Sequence, residues 1–496
     1  MTRPVIQLRR VVWSPIQGTK SGNTSISRQS RRFQSTATAT ATEPGQNNTL
    51  PLTGLKVLDL SRVLAGPFCT QILADYGAEV IKVEQPGIGD ETRQWRTSGE
   101  AQKWRPEHKY MSLYFAAVNR NKRSVTVNLK EPKGVEIVKA LARQSDVVVN
   151  NFIPGKMEQL GLSYEELRKE NNGIIYASCS GYGASGPSRD RAGYDAIALA
   201  EAGLLHITGD EKGGPTKPGV AMADMCTGLY MHGAILAALN QRHSTGLGCK
   251  IEGSLFESSL SLLINVGLAA LNLDLDKEPA KRRRGKRFGL GHPNLVPYGA
   301  FKTKDGMLFV AANNNRQWTG FCQRMGIEGL GDDRRFSTND GRVENREEIN
   351  SILQEKFAEK TQNEWLAVFE GSGLPYGSIN DVVDALEHPQ AEARNMVIDV
   401  EQFEAARDGM LKLIGPAMKF EGVSMNVRLK PPLLGQHTEE VLGGLGYPAS
   451  EIDKLRKSGV VEWLDMHRTK SNHKSCRDNV EINVIKNHRI VEIPEI

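Results

Sequence analysis

The chain has 496 residues, enough for two or three domains and a large core. Its 39% hydrophobic and 24% charged residues are ordinary for a globular enzyme, and a net charge of +5, much of it near the two ends, argues against a nucleic-acid partner. No apolar run reads as long enough to span a bilayer, so no membrane segment is expected. The six cysteines are scattered, with no CxxC pair and no zinc spacing, so they read as reduced thiols and no metal is expected.

Residues 1–51 form a first compositional region. Arg3, Arg9, Arg10, Lys20, Arg28, Arg31 and Arg32 all precede the first acidic residue, Glu43. Ser and Thr are abundant, and no apolar h-region appears. That is the composition of a mitochondrial transit peptide, so a matrix location is expected. Arg31-Arg32-Phe33-Gln34-Ser35 looks like a processing site, followed by an Ala-Thr spacer. The terminal Pro494-Glu495-Ile496 is not a peroxisomal address.

A large α/β domain is expected over 52–255. Leu55–Leu60 reads as a strand, Ala65–Ala78 as a helix and Glu79–Glu84 as a second strand, which is a βαβ unit. The turn between them, Ser61 to Pro67, lacks the G-x-G-x-x-G spacing of a dinucleotide site, so NAD is a poor fit. Ser124–Leu129, Asp146–Asn151 and Gly173–Ser178 read as further strands. Helices are expected over Pro132–Gln144 and Ser163–Asn171, the latter with Ser163 and Glu166 in capping-box spacing. This alternation predicts a Rossmann-like, doubly wound parallel sheet with ligands outside the carboxyl ends of its strands. Past Asp224 a long helix runs to about Arg242. A strand follows at Cys249–Gly253, then a helix to about Leu273.

Residues 256–290 read as a linker helix and a basic linker, Lys281 to Arg287, which is a solvated loop or an attractor for an anion. A small α/β domain is expected over 291–395, opening with a hairpin across Phe301–Val310 turned at Lys304-Asp305-Gly306. Residues 396–465 return to the large domain. The polar tail, 466–496, has no assignment.

No Ser-His-Asp spacing, G-x-S-x-G elbow or P-loop is present. The stretch that draws attention is Pro218 to Leu239, where a single carboxylate, Asp224, sits in uncharged surroundings at the start of a helix. Asp is a favoured N-cap, because its oxygen accepts orphan backbone N–H groups. An ionised carboxylate short of water at a helix N-terminus is also a nucleophile. The residues alone leave both readings open.

The order of local patterns resembles the class III CoA-transferase family, which also contains 2-methylacyl-CoA racemases. The matching segments are Leu55 to Pro67, Gly77 to Glu84, Asn119 to Ser124 and Asn151-Phe152-Ile153-Pro154-Gly155. Gly181-Tyr182-Gly183, Ala192-Gly193-Tyr194-Asp195, Ala223-Asp224 and Leu433 to Thr438 complete the set. Within the family, segments such as His206-Ile207-Thr208-Gly209 and Phe369 to Gly377 look like the mitochondrial branch that moves CoA between succinyl-CoA and glutarate.

The resemblance implies that Asp224 attacks the donor thioester, forming an acyl-aspartyl anhydride and then an aspartyl-CoA thioester. It implies CoA thioesters as substrates, no permanently bound cofactor, a small carboxylic acid as acceptor, and an interlocked, ring-like homodimer. Arg62, Val63, Leu64, Lys130, Asn151, Phe152, Gly193 and Tyr194 are the implied CoA-binding residues. Gly289, Gly291 and His292 are the implied substrate loop, whose backbone N–H groups would face an oxyanion. His292 reads either as a carboxylate ligand or as a loop hydrogen-bonder.

Leu64, Gln85 and Gln159 depart from the formyl-CoA branch, which carries Gln at the first position and basic or imidazole groups at the others. Other phosphate contacts are then expected from Arg62, Lys122 or Arg123. A distal carboxylate would want Arg62 or Arg120. Racemases of the family place His where this chain has Tyr194, a poor base with a pKa near ~10, which disfavours the racemase reading. An acyl-CoA-binding protein without catalysis is the third alternative.

Overall fold

A computed structural model describes residues 49–273 and 285–463. The transit-peptide region as far as residue 48, most of the basic linker, and the tail expected at 466–496 lie outside the described residues.

Six strands form one parallel sheet: β1 (Lys56–Asp59), β2 (Glu79–Glu84), β3 (Lys122–Thr126), β4 (Val147–Asn150), β5 (Ile175–Ser180) and β6 (Lys250–Ser254). Their spatial order is β3-β2-β1-β4-β5-β6, the doubly wound arrangement in which strand order reverses between β1 and β4. Alternation along each strand feeds two cores. Leu58, Val148 and Tyr176 pack with Ile137, Val138 and Leu141 of the Pro132–Arg143 helix on one face. Val57, Val147, Val149, Ile175 and Ala177 pack with Leu73, Ala223, Met231 and Ile235 on the other. Neither face of a parallel sheet is left to water, so the strands read as continuous apolar runs.

The second layer contains the Ala65–Asp75 helix and the 24-residue Met222–Thr245 helix. By length and mean hydropathy the latter could span a bilayer, which corrects the sequence expectation. Here its Ala223, Thr227, Gly228, Met231, Ile235 and Ala238 are buried against the protein. A Cβ at Gly228 would stand 2.8 Å from the Ala65 carbonyl, so the two helices close to backbone contact there.

The expected helix to Leu273 is broken. Leu255–Ser261 and Ile264–Leu273 meet at a 75° bend. β3 begins two residues earlier than expected, at Lys122, and ends at Thr126.

The free edge of β3 is covered by the C-terminal return. Ser124 N donates to His437 Nδ1 (3.2 Å) and His437 N to Ser124 O (2.9 Å). Thr126 N donates to Thr438 Oγ1 (3.1 Å), and Asn128 N to Val460 O (2.8 Å). The Leu433–Thr438 segment thus protects an edge strand. A separate cluster rich in aromatic residues, including Trp318, Phe321, Phe357, Trp365 and Phe369, surrounds an antiparallel sheet of β7 (Tyr298–Lys302), β8 (Met307–Ala311) and β9 (Tyr376–Ser378). β7 and β8 are the expected hairpin. β10 (Val397–Val400) and β11 (Leu411–Ile414) pair antiparallel in the return segment.

Candidate active site

A cavity of about 520 Å³ opens outside the carboxyl ends of β1 to β4. Each strand hands it a loop: Leu60 and Arg62 after β1, Gln85, Gly89 and Asp90 after β2, Val127 to Lys130 after β3, and Phe152 to Pro154 after β4. The location follows from topology, because loops on either side of the switch point diverge and leave a crevice.

Of the expected CoA-binding residues, Arg62, Lys130 and Phe152 line this cavity. The Arg62 guanidinium pairs with Glu91 and lies 5.6 Å from the Phe152 ring centroid. Asn151 serves the loop. Its Oδ1 accepts from Arg62 N (2.9 Å) and its Nδ2 donates to Arg62 O (2.7 Å). Val63 and Leu64 are not among the lining residues. Val63 is held at φ +67, unusual for a β-branched residue, with its N–H donating to both Asp90 carboxylate oxygens at 3.2 Å. Leu64 is buried at the start of the Ala65–Asp75 helix.

Lys156 also lines the cavity. It was missed in the sequence, although it stands three residues before Gln159 on the same helical turn, Lys156–Gln159. That spacing puts two side chains on one face.

Three expected contacts are overturned. Lys122 is fully buried, and its ammonium donates to Asp59 (3.0 Å), Pro67 O (2.8 Å) and Asn119 Oδ1 (2.9 Å), so nothing is left for a phosphate. Burial works to raise the Asp59 carboxyl, but Lys122 and Lys82 outweigh it and hold it down at about 2. Arg120 forks onto Asp75 (2.9 and 2.5 Å) and donates to Ile414 O (2.8 Å), so it is a structural clamp and not a substrate ligand. Arg123 points back to Glu79 and Glu440, away from the cavity.

Asp224 is not the N-cap. The helix begins at Met222, its N-cap residue is Ala221, and Asp224 lies in the first turn. The capping is done by Asp195, whose Oδ1 accepts from Ala223 N (2.7 Å) and Asp224 N (3.4 Å). Relieved of that task, the Asp224 carboxylate is half-buried. Desolvation first, and the Asp195 charge second, push its pKa up to about 7. Tyr114 is raised by burial and then by the charges of Asp224, Asp195 and Asp90. Asp90 is also one of the residues lining the cavity. Cys179 on β5 is pushed up to about 12 by burial and then by Asp224 and Asp59.

Gly193 packs face to face on Gly181: a Cβ on it would lie 2.5 Å from the Gly181 Cα. Two residues on, Asp195 reaches the head of the Met222–Thr245 helix. Tyr194 is 64% exposed and Asp195 is buried.

The Gly289–His292 loop is not brought to Asp224 by any described hydrogen bond. Gly289 N donates to Gly209 O (3.1 Å), and Gly291 N to Phe288 O (2.7 Å). His292 Nδ1 accepts from Asn294 N (3.1 Å), its carbonyl accepts from Arg346 (2.8 Å), and its ring stands 5.1 Å from Tyr298. In this chain its visible contacts are those of a loop hydrogen-bonder. Among the described residues no group of three or more His, Cys, Asp or Glu could hold a metal.

The comparisons agree with this geometry. A family model described as CoA-transferase family III matches residues 52–438. An acyl-CoA transferase of Fusarium pseudograminearum is 49% identical, over 90% of this chain and 96% of its own. A succinyl-CoA:glutarate CoA-transferase of Mus musculus is 46% identical, over 85% and 92%. The crystal structure of a CAIB/BAIF family protein from Brucella suis superposes with a TM-score of 0.68 at 37% identity, covering 80% of this chain and all of that one. A crevice at the switch point, a near-neutral carboxylate at a helix head and these relatives lead to one conclusion: the chain belongs to CoA-transferase family III and is an enzyme that transfers CoA between carboxylic acids.

Proposed function

We propose that this enzyme moves CoA from succinyl-CoA to a small dicarboxylic acid such as glutarate, with Asp224 as the covalent nucleophile. The observation that carries the reading is Asp224 itself, a half-buried carboxylate to which none of the described ion pairs or hydrogen bonds brings a cation, released from capping duty and raised to about 7. Its oxygen attacks the thioester carbonyl and expels CoA thiolate, leaving a succinyl-aspartyl anhydride. The thiolate returns to the aspartyl carbonyl and expels succinate, leaving an aspartyl-CoA thioester. The acceptor carboxylate attacks that thioester, and the thiolate then takes the new acyl group and frees Asp224. Each step exchanges one acyl bond for another, so no oxidant or metal enters the balance. The choice of acids is supported by relatives named for succinyl-CoA and glutarate.

Lys130, Lys156 and Arg62 are the proposed cationic contacts for the CoA phosphates, and Phe152 an apolar wall. The Gly289–His292 loop is proposed to meet the substrate in a homodimer. A dimer is supported by the Ile264–Leu273 helix, which has no buried residue and leaves Leu271 83% exposed. The composition of residues 1–51 supports a mitochondrial location.

The test is incubation of purified protein with succinyl-CoA and a panel of free acids, with acyl-CoA products followed by mass. Asp224→Ala and Asp224→Asn are expected to lose transfer while staying folded. Hydroxylamine or borohydride trapping during turnover is expected to label Asp224. A label elsewhere would sink the reading, and racemisation of a 2-methylacyl-CoA with no exchange would favour the racemase alternative.

A further inference from the structure

The head of the catalytic helix has an unusual arrangement of charge. Asp59, Asp75, Glu84 and Asp90 are buried carboxylates, and each pairs with a buried lysine or arginine. Asp195 is only 8% exposed, yet none of the described ion pairs or hydrogen bonds gives it a cation. Its partners are the backbone N–H groups of Ala223 and Asp224. Two carboxylates therefore share one helix N-terminus, the first bonded to the backbone that carries the second.

We propose that Asp195 is a positioning residue for acyl transfer: its cap fixes the backbone of Asp224, and its unneutralised charge opposes the free Asp224 carboxylate and so favours acylation. The proposal rests on the reading of Asp224 as the nucleophile. Acylation removes the negative charge from Asp224 and places it on the departing thiolate. The repulsion present in the free enzyme is thereby released, in the direction of the covalent intermediate. The helix N-terminus supplies N–H groups for only part of this charge, and Asp195 has already taken two of them. Tyr114 and Cys179 are raised by burial first and by the Asp224 charge second, and so are neutral near pH 7. Cys226, on the same helix, is raised by burial and by Asp195.

The experiment uses the full chain with Asp195→Asn, Asp195→Glu and Asp195→Ala. The readouts are kcat/KM for succinyl-CoA from pH 5.5 to 8.5, and the fraction of enzyme trapped as an Asp224 adduct at fixed succinyl-CoA. Asn keeps an acceptor oxygen and the cap but removes the charge. Its acidic inflection is expected to move down by about one pH unit, and its trapped fraction to fall several-fold. Glu is expected to keep the raised inflection, and Ala to lose both cap and charge. The inflection is read on surviving activity, so partial loss of fold does not move it. If Asp195→Asn keeps the wild-type inflection and trapped fraction, the inference is wrong. If activity falls with the inflection unchanged, Asp195 is structural only, and the inference is again wrong. If wild type carries no label on Asp224, the proposed mechanism falls first, and this inference with it.

Discussion

Replacing Asp224 with Asn should make the protein more stable at pH 8 while abolishing its activity. The folded carboxyl sits at about 7, against an ordinary value of 3.8. Folding therefore favours the protonated form. The group's contribution is fully present below about pH 4 and is lost as pH rises through 7. A displacement of about three units corresponds to roughly 4 kcal/mol as a ceiling. The side chain is half-buried and partly screened, so about 2 kcal/mol is the working figure. Asn carries no charge at any pH and is close to isosteric, so it escapes this cost. About a third of the effect is already present at pH 5 and nearly all of it by pH 8. The assay is a melting curve of wild type and Asp224→Asn at pH 5 and pH 8, without CoA. For a chain this long the melting-temperature gap should widen by a few degrees at most between the two pH values. A gap that stays constant, or a wild type that melts above the variant at pH 8, would refute the claim that this carboxylate is held against its ordinary preference.

On the proposed mechanism, the same group should set the pH dependence of the first chemical step. With a carboxyl at about 7, the ionised fraction rises roughly tenfold from pH 6 to pH 8, so kcat/KM for succinyl-CoA should rise by that factor; a flat profile measured by initial rates would contradict it. Lys156→Gln and Lys130→Gln should each raise KM for succinyl-CoA by about fivefold or more, leaving KM for the acceptor acid unchanged, because each removes a point charge from the cavity wall. Steady-state kinetics with both substrates varied decide between that and a general loss. Arg120→Met leaves Asp75 buried without its fork, at a cost of roughly 3–5 kcal/mol. Denaturant melts should show the loss, while the surviving enzyme keeps its acceptor preference. In Gly193→Ala the new methyl would sit 2.5 Å from the Gly181 Cα, so the Tyr194-Asp195 pair must shift; activity should fall by at least tenfold, and a variant with wild-type kcat would show that this contact is slack.

The local signals of this chain were legible because they are periodic. Glu79–Glu84 is a strand with the bounds its sequence predicts. The alternating βα pattern leads directly to a parallel sheet, since short-range apolar spacing dictates which face of each element is buried. The Asp224 region stood out as a lone carboxylate at the start of a helical pattern, and the ordered motifs identified the family. The roles of individual polar groups were not legible. Arg120 and Lys122 looked available for a substrate, yet the fold delivers Asp75 and Asp59 to them from 45 and 63 residues away. The helix-cap reading of Asp224 stayed open until tertiary structure brought Asp195, 29 residues upstream, to the N–H groups at that helix start. A charge's partner is a matter of three-dimensional distance, and Coulomb and hydrogen-bond energies fall off within a few ångströms. Sequence spacing carries that distance only within one helix or strand, so the elements could be read in order, while the release of the Asp224 carboxylate from capping was decided by how they pack.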